Sequence, residues 1–182
     1  FIDGALIELN PGEVIYVKKG SFSVDCETPI TFYHLFTMTA GFNYDLTPPH
    51  IREVVEKTNG RAPTRELIAA LAKAPLDFEP GTQFQYSLCH DVLACLVEVI
   101  SGTTFGEYIK KNIFDPCGMS NSTFIATDEI RARMITQYRY NDARKKALRV
   151  ELTNPYVPGT EYESGGAGAV STVKDYMKFL EA

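Results

Sequence analysis

The chain has 182 residues, which is enough for one domain of ordinary size with a core of its own. Hydrophobic residues make up 45% of it and charged residues 23%, a globular composition that argues against intrinsic disorder. The net charge of -5 gives no support for nucleic-acid binding, and no apolar run reaches the roughly 18–20 residues that a membrane span needs.

The first third of the chain predicts two short strands and two helices. The apolar and polar mix of residues 1–17 favours two strands around the turn Asn10-Pro11-Gly12. Thr31 is a candidate N-cap for a short helix, FYHLFTMT. Pro48-Pro49 then opens a helix that Asn59-Gly60 closes, since proline suits the first turn and glycine the end.

The middle of the chain predicts three further helices and one tight turn. Thr64 begins TRELIAALAKA, whose apolar residues form one stripe and which Pro75 ends. Pro80-Gly81 suits a type II turn, because proline fixes φ and glycine accepts a positive φ. A long apolar helix covers residues 87–100, and Thr104 opens the helix GEYIKKNIF with a T-x-x-E capping box.

The last third predicts a hairpin and a terminal helix. Residues 133–140 and 147–152 have the pattern of two strands joined by a polar turn. Thr172-x-x-Asp175 is a capping box for the last helix, on which Lys174 and Lys178 should face water. The buried stripe of that helix should consist of Val173, Tyr176, Met177 and Leu180.

The same helix start contains a possible catalytic pair. Ser171-Thr172-Val173-Lys174 matches S-x-x-K, the pattern with which one large group of hydrolases activates its serine. At positions i and i+3 the two side chains share a helix face, so the amine can lie beside the hydroxyl. Only two letters of the pattern are fixed, so its context has to separate a catalytic pair from an ordinary cap.

Three segments, in order, resemble the serine β-lactamase-like family of class C β-lactamases, D-alanyl-D-alanine carboxypeptidases and related esterases. The first is PITFYHLFTMTAGF, similar to the family's P-I-T-x-x-H-L-L-T-H-T-S-G-L. The second, residues 78–124, is similar to its run of P-G-T, Tyr-Ser, a long helix and I-F-x-P-L-G-M. The third, GGAGAVSTVKDYMKF, resembles G-G-x-G-L-x-S-T-x-x-D-x-x-x-F. The resemblance implies an α+β fold: the mostly helical subdomain of a β-lactamase/transpeptidase-like domain, with short β-hairpins.

The resemblance implies a catalytic role for Tyr86. This tyrosine follows a rigid turn and precedes a helix; from composition alone, a core or rim aromatic is the simpler interpretation. An ordinary tyrosine has a pKa of about 10, so forming tyrosinate at pH 7 costs roughly 4 kcal/mol. A catalytic tyrosine therefore needs cationic neighbours or acts as a shuttle between partners. In the family these partners are the S-x-x-K lysine and a lysine or histidine on a strand near the C-terminus.

Three further positions are candidates for substrate binding. Leu88 stands where the family usually has the asparagine of Tyr-x-Asn, and YSLCHDVL instead resembles the esterase-like branch. Leucine cannot bind a substrate carbonyl as an amide does, so ester or amide hydrolysis is favoured over efficient β-lactam hydrolysis. Gly165 and Gly166 belong to a glycine run that either approaches the substrate closely or forms a turn before the last helix.

The context of Ser171-Thr172-Val173-Lys174 favours a helix cap over a catalytic pair. In the family the nucleophile's S-x-x-K lies upstream of the P-I-T block, whereas Ser171 lies downstream of Tyr86. Lys57-Thr58-Asn59-Gly60 is similar to a K-T-G motif but falls at a helix end rather than on a strand. The sequence therefore lacks both the nucleophile's S-x-x-K motif and the strand motif that the family has near its C-terminus. Because it also starts with Phe1 and stops inside a helix, we expect a single partial domain over residues 1–182, truncated at both ends.

These observations predict part of a serine hydrolase that cleaves an ester, amide or β-lactam bond of a small-molecule or peptide substrate through an acyl-enzyme. The 182 residues alone should be inactive and should self-associate through uncovered apolar surface. The alternative is a non-catalytic module that binds a peptide or cell-wall fragment in a degenerate pocket. The resemblance implies no cofactor. Four cysteines without metal-ligand spacing predict no metal site and slightly favour a reducing, cytoplasmic compartment.

Overall fold

The structure, a computed structural model, describes residues 26, 28–150, 154 and 156–182. The strands predicted around residue 10 lie outside the described residues. Within the described part, seven α-helices and a π-helical turn accompany one two-stranded antiparallel sheet, which confirms the predicted α+β class. In chain order the elements are α1 (Phe32–Phe36), α2 (Pro49–Lys57), α3 (Thr64–Leu71), α4 (Cys89–Ser101), α5 (Phe105–Ile109), the π-helical turn (Lys110–Phe114), α6 (Asp128–Arg133), β1 (Gln137–Asn141), β2 (Lys146–Val150) and α7 (Val173–Glu181).

The predicted caps at Thr31 and Thr104 are confirmed, because both form complete capping boxes. At α1 the returning bond comes from an unexpected residue: the imidazole Nδ1 of His34 accepts the backbone N–H of Thr31 at 3.3 Å. Helix α1 also ends three residues earlier than predicted. Met38 has a positive φ of 55°, a left-handed conformation that stops the helix.

Two elements near the C-terminal half differ from their predictions. The helix predicted from Thr104 changes after Ile109 into the π-helical turn, in which the N–H of Asp115 donates to the carbonyl of Lys110. The first strand of the hairpin was predicted from Arg133, but that residue ends α6, which the sequence did not predict. Strand β1 begins only at Gln137, which pairs with Val150.

Two buried clusters hold the described helices together. One joins α2 and α3 to Tyr162 through Ile51, Ala62, Leu67 and Ala70. The other joins α1 to the start of α4 through Ile30, Leu35, Ala40 and Cys89. The second cluster includes the start of α4, and Tyr162 of the first cluster donates a hydrogen bond to Asp91 of α4, so this helix is fixed from two sides. No single helix in the described part of the chain is long and apolar enough to cross a membrane. Helix α4 and residues Phe105–Phe114 together have that length and composition, but the two are bent by 78° at the break between them.

Helix α7 is attached through its polar side rather than its apolar stripe. The carboxylate of Asp175 is buried and accepts the N–H of Asn121 at 2.6 Å and the hydroxyl of Ser122 at 3.2 Å. Lys178 is half-buried and donates to Asp175 and to the carbonyl of Gly118, so the prediction that it faces water is wrong. The predicted burial of the stripe is also wrong for the described chain: Val173, Tyr176, Met177 and Leu180 are all exposed.

Candidate active site

The segment that carries Tyr86, residues 80–88, is hydrogen-bonded along its length to residues 38–43. It begins with the predicted turn at Pro80-Gly81, where Thr82 N–H donates to Glu79 O at 3.1 Å and Gly81 has a φ of 87°. Backbone bonds to residues 39, 38 and 43 follow from Gly81 (2.8 Å), Gln85 (2.9 Å) and Leu88 (3.1 Å). The backbone on both sides of Tyr86 is thereby held in place.

The side chain of Tyr86 lies at the surface, 61% exposed, three residues before α4 begins. Its ring stacks on the ring of Tyr44, with centroids 5.2 Å apart and planes 8° from parallel. Ser87 and Leu88, which follow, are both buried. The structure therefore presents an accessible phenol on a fixed backbone, directly before a helix.

The predicted substrate contact at Leu88 does not fit its position. Its side chain is only 1% exposed, so it offers no surface to a bound molecule, and its N–H already donates to Asn43. Leu88 acts instead as part of the packing that fixes the residues just before α4.

The glycine run lies on the first turns of α4. A Cβ atom at Gly165 would fall well inside contact distance of the His90 carbonyl oxygen and 2.8 Å from the Cβ of Ala94. A Cβ at Gly166 would lie 3.1 Å from Oδ2 of Asp91 and 3.3 Å from the hydroxyl of Tyr44. Close approach to a helix is thus a structural reason for these glycines. Contact with a substrate stays a prediction, but the run does reach Tyr44, whose ring stacks on Tyr86.

Beneath the glycine run, Asp91 and Tyr162 form a buried polar pair. Both side chains are completely buried, and the Tyr162 hydroxyl donates to Oδ1 of Asp91 at 2.9 Å. Burial raises the pKa of Asp91, and the nearby Ser164 and Tyr162 hydroxyls offset part of that rise. Burial and the adjacent carboxylate raise the pKa of Tyr162 in turn. Among the described residues, Oδ2 of Asp91 has no hydrogen-bond partner of normal geometry.

Tyr44 connects this buried pair to the surface. Burial, with the charge of Asp91 second, raises the pKa of Tyr44 to about 12, so its hydroxyl stays protonated at neutral pH. The ring of Tyr156 meets it edge-on, with centroids 5.0 Å apart and planes at 87°. The sequence did not identify Tyr44, because no spacing relates it to Tyr86. For Asp91 a signal was available: a carboxylate stands among the apolar residues of the α4 sequence.

The S-T-V-K segment is a helix start, as predicted. The hydroxyl of Thr172 accepts the N–H of Asp175 at 3.1 Å, and α7 begins at the next residue, Val173. Ser171 shares a hydrogen bond with the hydroxyl of Ser122 at 2.8 Å, while Lys174 is exposed. The K-T-G-like residues also lie where they were predicted, because α2 ends at Lys57.

An open apolar groove runs along α4. His90, Gly165 and Ile100 are among the residues that line it. Its remaining lining includes Phe32, Phe36, Leu93, Leu96 and Val97. The groove therefore borders the glycine run.

Comparison with known proteins gives one consistent result. The family model described as Beta-lactamase matches residues 16–182. Esterase EstB of Burkholderia gladioli is 28% identical over 176 residues, covering 86% of this chain and 45% of EstB. The lovastatin esterase of Penicillium rubens is 32% identical over 110 residues, covering 59% of this chain and 28% of that protein.

A solved structure has the same fold. EstCE1, described as a hydrolase with promiscuous acyltransferase activity, superposes with a TM-score of 0.64 at 26% identity. The match covers 84% of this chain and 45% of EstCE1. The chain thus spans less than half the length of these relatives.

Proposed function

The chain belongs to the beta-lactamase family, and we propose that it is part of a serine hydrolase that cleaves an ester, amide or β-lactam bond through an acyl-enzyme. Tyr86 is the proton shuttle in this proposal. Two similar proteins are named esterases and a third is described as a hydrolase, so an ester is the first substrate class to test. Because the chain spans less than half of these relatives, the proposal concerns the complete protein.

The observation that carries the proposal is the position of Tyr86. Its side chain is 61% exposed, and it stands at the tyrosine of the segment that resembles the family's Tyr-Ser pattern. Its backbone is nevertheless held on both sides by bonds to residues 38 and 43. An exposed phenol on a rigid support suits a group that meets a substrate, since catalytic groups need fixed geometry and access.

The chemistry assigned to Tyr86 has two halves. In the first, the serine hydroxyl attacks the acyl carbon, and Tyr86 passes the serine proton to the leaving group. In the second, Tyr86 takes a proton from the attacking water and returns it to the serine, which frees the enzyme. Each half moves one proton in and one out, so the tyrosine ends each cycle as a neutral phenol.

We further propose that the nucleophile and its lysine lie outside these 182 residues, so that the chain alone is inactive. The only S-x-x-K in the sequence is at Ser171, and its lysine is exposed to solvent. Among the described residues, the Ser171 hydroxyl shares its hydrogen bond with the hydroxyl of Ser122 and not with a lysine amine. Ser171 is therefore not paired with a lysine that could activate it.

The test is Tyr86→Phe in the complete protein, assayed on an activated ester. Removal of a general acid–base group typically lowers the rate by about 10²–10⁴-fold, and kcat/KM should fall by that order. Tyr138→Phe is the matched control, because Tyr138 is also a surface tyrosine, 63% exposed, and lies on strand β1 of the hairpin. It should keep the wild-type rate.

A loss of less than about threefold in Tyr86→Phe would show that Tyr86 is a structural aromatic. If the wild-type complete protein binds peptides or cell-wall fragments without turning over any ester or amide, the non-catalytic binding module is the correct interpretation.

A further inference from the structure

We propose that Tyr44 is a positioning residue for Tyr86. Its ring holds the Tyr86 phenol in the orientation in which the hydroxyl can transfer protons. This inference rests on the proposed function of Tyr86, and the experiment below separates the failure of the one from the failure of the other.

The need for such a residue follows from the exposure of Tyr86. Hydrogen bonds fix the backbone around this residue, but a side chain that is 61% exposed is free to change rotamer unless something contacts its ring. Proton transfer requires heavy atoms within about 2.6–3.2 Å of each other, so a rotamer change would remove the hydroxyl from its partners.

Tyr44 provides the required contact. The two rings are almost parallel, 8° apart, with centroids at 5.2 Å, which is the separation of an offset aromatic stack. One face of the Tyr86 ring is therefore covered by a flat surface, and rotation about χ1 would break the stack. The Tyr86 residue as a whole stays 61% exposed.

Tyr44 can hold another ring because it is itself fixed. Tyr156 meets its ring edge-on at 5.0 Å, and its hydroxyl points at the glycine run near Gly166. Asp91 lies behind that glycine, anchored by the buried hydroxyl of Tyr162. With a pKa of about 12, Tyr44 also stays uncharged throughout the range in which an ester hydrolase is assayed.

The first part of the experiment compares variants of Tyr44 in the complete protein. Tyr44→Ala and Tyr44→Leu both remove the flat ring, and each should lower kcat on an activated ester about tenfold with KM changed less than twofold. Tyr44→Phe keeps the ring and should retain at least half of the wild-type kcat. Tyr138→Ala removes a tyrosine on β1 that is more exposed than the half-buried Tyr44, and it is the surface control.

The second part is a double-mutant cycle with Tyr86→Phe. If Tyr44 acts only through the Tyr86 hydroxyl, then Tyr86→Phe/Tyr44→Ala should be no slower than Tyr86→Phe alone, within twofold. A general structural defect would instead multiply the two losses. Assays run at least 10 °C below the melting temperature of each variant, as about that margin keeps the protein folded.

Three results would overturn the positioning role: a kcat of Tyr44→Leu within twofold of wild type, a loss in Tyr44→Phe as large as in Tyr44→Leu, or multiplied losses in the cycle. A different result would refute the proposed function of Tyr86. If Tyr86→Phe keeps its rate, the shuttle itself is refuted, whereas a slow Tyr86→Phe with a fast Tyr44→Leu refutes the positioning role alone.

Discussion

Replacing Gly165 by alanine adds a methyl group where the glycine run lies on α4. The new Cβ would overlap the carbonyl oxygen of His90 and lie 2.8 Å from the Cβ of Ala94. Both obstacles belong to a helix that is packed on two sides, so neither can turn away as the end of a flexible side chain would. The φ of Gly165 is not in the left-handed region, and the expected effect therefore comes from the clash alone.

The size of the effect follows from these distances. Overpacking by one methyl group typically costs 1–3 kcal/mol, and a clash with helix backbone belongs at the upper end, about 3 kcal/mol. The alanine variant has a lower conformational entropy in the unfolded state, which offsets roughly 0.5 kcal/mol of this cost. We therefore expect Gly165→Ala to lower the free energy of unfolding by about 2–3 kcal/mol.

Gly166→Ala is the matched comparison one residue along. The three nearest neighbours of its Cβ would all be side-chain atoms, of Asp91 at 3.1 Å, of Tyr44 at 3.3 Å and of His90 at 3.9 Å, so the overlap is smaller than at Gly165. Its cost should stay within about 1 kcal/mol. Urea unfolding followed by circular dichroism measures both values, and an unchanged m-value verifies that the unfolding transition is the same.

Equal losses in the two variants, or a loss below about 1 kcal/mol in Gly165→Ala, would refute the packing argument for the glycine run. A stable Gly166→Ala with a changed KM would instead favour the substrate contact predicted for this glycine.

Three further outcomes are expected. A serine-directed phosphonate should leave no adduct on Ser171 by mass spectrometry, and Ser171→Ala should cost less than about 0.5 kcal/mol because Thr172 is the cap. An adduct that Lys174→Ala abolishes would contradict this. Because burial raises the pKa of Asp91, the folded protein releases this proton at a higher pH than the unfolded chain does, and stability is therefore lost as pH rises above the ordinary value of 3.8. Asp91→Asn should flatten that loss in urea titrations between pH 4 and 7, and parallel curves would count against it. The 182-residue chain should self-associate in light scattering and bind an apolar dye, and Val173→Ser/Leu180→Ser should reduce both. A monomer without dye binding would show that the exposed stripe of α7 does not drive self-association.

Local signals in the sequence predicted most of the described elements. Capping boxes at Thr31 and Thr104, and the cap at Thr172, depend on residues three positions apart, so the sequence displays them directly. The type II turn at Gly81 is equally local. These short-range rules, with the family's motifs, were enough to give the fold class and the position of Tyr86 before α4.

The errors at α7, Tyr44 and Leu88 have one cause, which is that tertiary contacts decided the outcome there. The stripe of α7 was predicted to be buried because it is apolar, but the described chain supplies a polar attachment through Asp175 and Lys178. The stack of Tyr44 on Tyr86 joins residues 42 positions apart, and no periodicity connects them. Leu88 was judged by the residue it replaces, whereas its burial depends on how the segment before α4 packs.

The pairing of the Tyr86 segment with residues 38–43 has a consequence for hydrogen exchange. The amides of Gly81, Gln85 and Leu88 are donors to that earlier segment, so they can exchange only when the two segments separate. Their protection should therefore fall together, at one common rate, rather than residue by residue. The Tyr86 phenol would then be displaced only when the two segments separate as one cooperative unit. Between such events the contacts around it would stay unchanged.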